Sequence, residues 1–171
     1  MSAPGRALVL IGPMGAGKTS IGRRVARALQ RPFFDTDIAV VRAHGPIEQI
    51  FAAHGEPHFR ALEREAVIRG LATGGVVSLG GGAVMDAATR ADLASHRGAL
   101  LTVEPRVVAG RIRDTARPLL QDDDALTRWE HIMTARRPVY EEVADATFDT
   151  SNGPLQSVVD AIVQWARTEQ R

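Results

Sequence analysis

Lys18 is the one lysine of a 171-residue sequence whose other basic side chains are twenty arginines. It falls inside GPMGAGKT, residues 12–19, which meets every fixed position of the phosphate-binding pattern G-x-x-x-x-G-K-[ST]. Shape explains why a chain otherwise built on arginine keeps a lysine here. A compact ammonium on a slim stem can enter a ring of backbone amides and touch two phosphates, where a planar guanidinium fork would collide. Gly12, Gly15 and Gly17 can take backbone angles closed to other residues, so successive N–H groups can point into one concavity. Thr19 offers a hydroxyl to a magnesium ion. The pattern specifies a nucleoside triphosphate site and is silent on what is phosphorylated.

Other reactive side chains fall after apolar runs. Asp35-Thr36-Asp37 follows Phe33-Phe34, and in extended chain the two carboxylates would point the same way. One could then hold magnesium through water while the other takes a substrate hydroxyl; the competing reading is an acidic turn or helix cap. Gly80-Gly81-Gly82 follows Val76-Val77-Ser78-Leu79 directly, which marks a backbone that closely approaches something. Arg60 and Glu63 lie three apart in an expected helix and can pair. Arg117 precedes Pro118-Leu119-Leu120 in a largely polar stretch, 114–124, read as a mobile loop able to bring a guanidinium onto a transferring phosphate. Arg136 sits just before Arg137-Pro138, where a long helix is expected to be interrupted.

These residues need a scaffold, and the hydrophobic pattern supplies one. The run 7–11, Ala-Leu-Val-Leu-Ile, reads as a parallel strand covered on both faces. Ile21, Val25, Ala28 and Leu29 then recur at helical spacing, with Arg23, Arg24 and Arg27 on other faces. Further strands are expected at 32–35, 76–79, 99–103 and 146–149. Helices are expected over 38–53 with a break at Gly45-Pro46, from Gly55 and Pro57 to about Leu71, and over 86–96. More follow from Pro105 to about Arg113, from Ala125 onward, and from Leu155 to Ala166. Strands alternating with helices argue an α/β fold, a parallel sheet with helices on both sides, whose ligands bind beyond the carboxyl ends of the strands.

The length suits one domain over 1–171. The hydrophobic fraction of 44% is enough for a full core, and a net charge of +1 gives no reason to expect nucleic acid as a partner. Without cysteine there is no disulfide, thiolate metal site or cysteine nucleophile, which suits a reducing, cytoplasmic setting. No apolar run approaches a membrane span. The five histidines show no metal spacing; Gly55 and Pro57 spoil a shared helical face for His54 and His58. A regulatory GTPase would need a guanine-reading Asn-Lys-x-Asp, and the sole lysine is already used.

Taken together, GPMGAGKTSIGRRVA, FFDTD, GEPHFRALE, SLGGGAV, RPLL and ARRPVYEEVAD resemble the shikimate kinases in order and spacing over nearly the whole chain. A gluconate kinase would share the phosphate loop but lack the pairing of DTD with the triple glycine. The resemblance implies a three-layer α/β sandwich, a five-stranded parallel sheet of the nucleoside monophosphate kinase type within the P-loop NTPase fold, with a lid at about 114–124. It implies ATP and Mg2+ as cofactors, shikimate as the small-molecule partner, and a monomer in the cytoplasm. Lys18 would serve the phosphates, within a nucleotide-binding stretch of Gly15, Ala16, Gly17, Lys18, Thr19 and Ser20, and Thr19 and Asp35 would serve the metal. Asp37 would bind the acceptor hydroxyl, Arg60 and Arg136 its carboxylate, and Glu63 would orient Arg60. Gly80, Gly81 and Gly82 would line the substrate pocket, and Arg117 would reach the phosphates. Pro154 would pack on adenine opposite an arginine for which Arg113 and Arg111 both qualify. Val41 departs from the family, where a polar or acidic residue is usual nearby, and is expected to alter helix packing more than chemistry.

Overall fold

The computed structural model describes residues 5–112 and 125–168. The expected lid, 114–124, lies outside them, together with Arg113 and Arg117. Among the described residues five strands, β1 (Leu8–Ile11), β2 (Phe33–Asp35), β3 (Val76–Ser78), β4 (Arg97–Thr102) and β5 (Ala146–Asp149), form one parallel sheet in the order β2-β3-β1-β4-β5. β1 is central. Leu8 pairs with Val76 on one side and with Arg97 on the other. A strand with neighbours on both edges and helices over both faces has no solvated side, so every residue of β1 is apolar and buried.

Among the described residues the helices are α1 (Lys18–Leu29), α2 (Thr36–His44), α3 (Ile47–His54), α4 (Glu56–Ala72), α5 (Ala87–Leu93), α6 (Pro105–Ile112), α7 (Ala125–Val143) and α8 (Leu155–Thr168), with a 3-10 turn at Ala83–Met85. The break expected at Gly45-Pro46 falls between α2 and α3. Helix α1 packs between α8 and the sheet, burying Ile21, Gly22, Val25 and Ala26. Ala28, expected on that stripe, is exposed; the i, i+3, i+4 row runs through Ala26 instead. A second apolar cluster of Val40, Ile50, Phe59 and Ala66 ties α2, α3 and α4 into a unit. That cluster seats the first turns of α4, which carry Arg60 and Glu63.

Three expectations about boundaries change. Helix α5 stops at Leu93, because Ala94, Ser95 and His96 donate to carbonyls three residues back and the chain winds down in tight turns. Strand β4 begins at Arg97 rather than Ala99. The Arg97 guanidinium stacks 3.8 Å from the Trp165 ring and donates to the carbonyls of Trp165 and Ala166, so a charged residue opens a buried strand by capping the end of α8. Helix α7 is not interrupted at Pro138. The proline removes the N–H that would bond Thr134, but Thr134 and Pro138 are both exposed, where water can serve that carbonyl. Buried Met133 and Tyr140 anchor the helix on either side of it. No helix among the described residues is long and apolar enough to cross a membrane.

One histidine has a structural duty. The Nδ1 atom of His96 accepts a hydrogen bond of 2.9 Å from the Ala7 backbone N–H, tying the approach to β1 to the end of the α5 segment. Burial, reinforced by the Arg6 charge and opposed by Asp92, holds the His96 imidazole below its ordinary pKa. The fold therefore favours the neutral ring, because protonation would remove the acceptor. This contribution is complete above the ordinary histidine pKa of about 6.5 and is lost as pH falls below it. Replacing His96 with Asn keeps an acceptor near the Nδ1 position that cannot protonate. Thermal melts of His96→Asn between pH 7.5 and 5.5 should lose less stability than those of the parent. Parallel losses in the two proteins would refute the assignment.

Candidate active site

The loop of residues 12–17 leaves the end of β1 and turns straight into α1, whose N-cap is Gly17 at φ 91° with no side-chain cap. The first N–H groups of that helix and its positive dipole end are thus presented to the cavity beyond the sheet. Gly15 and Gly17, both at positive φ, let the chain make this turn. The ammonium of Lys18 folds back over the loop and donates to the carbonyls of Gly12 at 2.8 Å and Pro13 at 2.9 Å. The Thr19 hydroxyl donates to Asp35 at 2.7 Å.

Asp35 caps a helix and also meets the phosphate-loop side through Thr19. One carboxylate oxygen accepts from the Ile38 N–H at 3.0 Å and caps α2; the other meets Thr19. Asp35 and Asp37 do not share an extended strand, because β2 ends at Asp35 and Asp37 lies in the first turn of α2. That turn separates their duties: Asp35 faces the phosphate loop, while Asp37 faces Gly80. The Thr19 hydroxyl and Asp35 carboxylate are oxygen donors suited to a hard cation such as Mg2+. No cluster of three metal-ligating His, Asp or Glu side chains exists among the described residues. An ion here would therefore take its remaining ligands from water and nucleotide.

The triple glycine is explained by what lies against it. A β-carbon on Gly80 would sit 2.7 Å from Asp37 Oδ1 and 2.9 Å from Glu63 Oε2; one on Gly82 would sit 2.7 Å from both terminal nitrogens of Arg60 and 2.9 Å from Arg136. A side chain at either position would have to displace these charged side-chain ends. The segment is also pinned: the Gly80 N–H donates to the buried Thr36 hydroxyl at 3.0 Å, and the Tyr140 hydroxyl donates to the Gly81 carbonyl at 2.5 Å.

Arg60 donates to Glu63 at 2.9 Å and to Glu56 at 3.2 Å. The Glu63 side chain is only 5% exposed. Burial pushes its carboxyl above the ordinary range despite the pull of Arg60 and with the Asp37 charge adding to the rise. For Arg60, desolvation is outweighed by Glu63 and Glu56, so the guanidinium stays charged. Tyr140 is pushed up by burial against the pull of Arg136.

One cavity of about 840 Å³ joins these groups. Gly15, Gly17, Lys18, Thr19, Ser20 and Asp35 line its phosphate-loop end; Asp37, Arg60, Glu63, Gly81, Gly82 and Arg136 line the other. Ala16 is buried behind the loop and Gly80 lies beneath Asp37 and Glu63. Pro154 is exposed just ahead of α8, away from this lining. Arg113 and Arg117 lie outside the described residues, whereas Arg111 is committed to the Gly15 carbonyl at 2.6 Å and the Thr150 carbonyl at 3.0 Å.

Val41 corrects the sequence reading. It is 40% exposed and belongs to the cavity wall, with Ile47, Phe51 and Phe59, rather than to a helix-packing interface. The rings of His54 and His58 also meet, at 4.6 Å between centroids, although Gly55 does divide their helices. Sequence reasoning missed Thr36, Trp129 and Tyr140 as site residues. Each is a buried polar side chain bonded to loop backbone. The available signal was Tyr140 and Trp129 at helical spacing from Arg136, on the face of α7 that reaches the site.

A family model for shikimate kinase matches residues 14–167. The chain is 43% identical over 160 residues to a shikimate kinase of Rhodococcus jostii, covering 91% of this chain and 94% of the relative. It is 45% identical over 162 residues to one from Streptomyces avermitilis, with the same coverage. A solved shikimate kinase from Acinetobacter baumannii, in complex with shikimate, superposes with a TM-score of 0.88 at 32% identity, covering 98% of this chain and 96% of that one. Sequence, length and backbone path thus match those of known shikimate kinases: this chain belongs to the shikimate kinase family.

Proposed function

We propose that this chain transfers the γ-phosphoryl group of ATP to the 3-hydroxyl of shikimate, giving shikimate 3-phosphate and ADP, with the residue roles that follow. The observation that carries this reading is the division of one cavity into two chemistries. A nest of amides with a lysine at one end faces, at the other, two guanidiniums and a carboxylate set on glycines. The first suits a polyphosphate and the second a hydroxylated carboxylic acid.

Arg60 and Arg136 bind the acceptor carboxylate. Glu63 keeps Arg60 aimed at it. Asp37 accepts the hydrogen bond of the attacking hydroxyl and so points its oxygen toward the phosphoryl group. That oxygen forms the new bond to phosphorus as the bond to the bridging β–γ oxygen breaks, and the displaced oxygen leaves with ADP. The hydroxyl proton departs on the Asp37 side. Lys18 exchanges the carbonyls of Gly12 and Pro13 for phosphate oxygens, and its charge opposes that building on the β–γ bridge. Magnesium, which Thr19 and Asp35 would hold through oxygen donors, supplies further neutralisation of the phosphates. The apolar wall of Val41, Ile47, Phe51 and Phe59 excludes water from the acceptor end. The resemblance alone carries the roles of Arg117 at the transferring phosphate and of Arg113 and Pro154 at adenine, as well as a cytoplasmic monomer.

An ADP-release assay with magnesium, comparing shikimate, gluconate and no acceptor, tests the reaction; release that does not depend on shikimate would refute it. Arg60→Ala should raise KM for shikimate by an amount equivalent to about 2–5 kcal/mol while leaving that for ATP within twofold. Equal losses for both ligands would count against the carboxylate role. In Gly82→Ala the added methyl must displace both guanidiniums, so KM for shikimate should rise about tenfold or more with little change in melting temperature. Lys18→Met should lower turnover by about a hundredfold or more, while a circular-dichroism melt matches the parent.

A further inference from the structure

The carbonyls of the phosphate loop are taken up one after another. Lys18 takes those of Gly12 and Pro13, the Trp129 indole N–H donates to Met14 at 2.7 Å, and Arg111 donates to Gly15 at 2.6 Å. The Met14 carbonyl matters most for geometry. In a planar trans peptide the C=O of one residue and the N–H of the next point in opposite directions. A carbonyl of Met14 held toward α7 therefore turns the Gly15 N–H away from α7. Gly15 follows at φ 86°, without a side chain to hinder rotation, so this peptide can turn over at small cost unless something holds it.

Trp129 is placed to hold it. Its side chain is buried, 3% exposed, and it begins a stripe on α7 that continues through Met133 and Arg136 to Tyr140. The far end of that stripe grips the acceptor side, where Tyr140 donates to Gly81. The near end grips the loop. We infer that Trp129 is a positioning residue for the nucleotide: its N–H fixes the Met14–Gly15 peptide in the orientation that offers the Gly15 N–H to phosphate.

This inference rests on the phosphate-loop part of the proposed function and not on the identity of the acceptor. Its test is accordingly a binding measurement. Trp129→Phe retains an aromatic ring but lacks the donor. Calorimetric titration with MgADP should show Kd raised about five- to tenfold, the equivalent of one hydrogen bond, with shikimate binding changed less than twofold. Trp165→Phe, at the other tryptophan, should leave the MgADP Kd unchanged. A Trp129→Phe protein that melts earlier yet binds MgADP as tightly as the parent would overturn the inference, as would equal weakening of both ligands. If Trp129→Phe fails to fold, the Trp165→Phe protein carries a single indole, whose N–H should exchange slowly with deuterium; rapid exchange would overturn the inference as well. Failure of the shikimate-dependent reaction with MgADP binding intact would count against the acceptor assignment alone.

Discussion

A carboxylate buried beside a guanidinium is the constraint on which the acceptor end depends. Glu63 is almost withdrawn from water, and an isolated carboxylate there would be costly by several kcal/mol. Arg60 makes the burial tolerable, and in return loses its freedom to swing: two carboxylates hold it along α4. Gly80 and Gly82 then leave these groups in place, because the space a side chain would need is filled by them and by Asp37 and Arg136. The small cluster of Val40, Ile50, Phe59 and Ala66 fixes the turn of helix from which the pair projects.

The phosphate end obeys a different constraint, that of backbone polarity. A loop whose N–H groups face a ligand must dispose of its carbonyls elsewhere, or pay to desolvate them. Here the disposal is shared among α1, α6 and α7, so elements distant in sequence are drawn to a six-residue loop. Helix α7 meets both ends of the cavity. Its passage through Pro138 follows from the same arrangement, since buried contacts on both sides of the proline outweigh one missing hydrogen bond on a solvated face.

Much of the candidate site was legible in short-range sequence pattern. The phosphate loop declares itself by local pattern, since its function needs particular residues at fixed short spacing. The parallel sheet follows from apolar runs such as 7–11, because a strand buried on both faces tolerates little else. Arg60 and Glu63 follow from helical spacing of three. Local pattern was less able to set ends and faces: Ala28 falls off the α1 stripe, α5 winds down before His96, and Arg97 opens β4 because of a partner sixty-eight residues away.

What the sequence by itself determined is therefore the set of chemical groups and the alternation of strands and helices, both encoded in short-range spacing. Only the tertiary structure decided which groups face one another. The polar atoms of Trp129 and Tyr140 lie against Met14 and Gly81, a pairing that only the fold sets, and Val41 reads as helix packing until it appears on the cavity wall. Asp35 and Asp37 take different duties because a helix begins between them. The reason is physical: a buried hydrogen bond joins groups far apart along the chain, and its partner is chosen by the packing of whole elements.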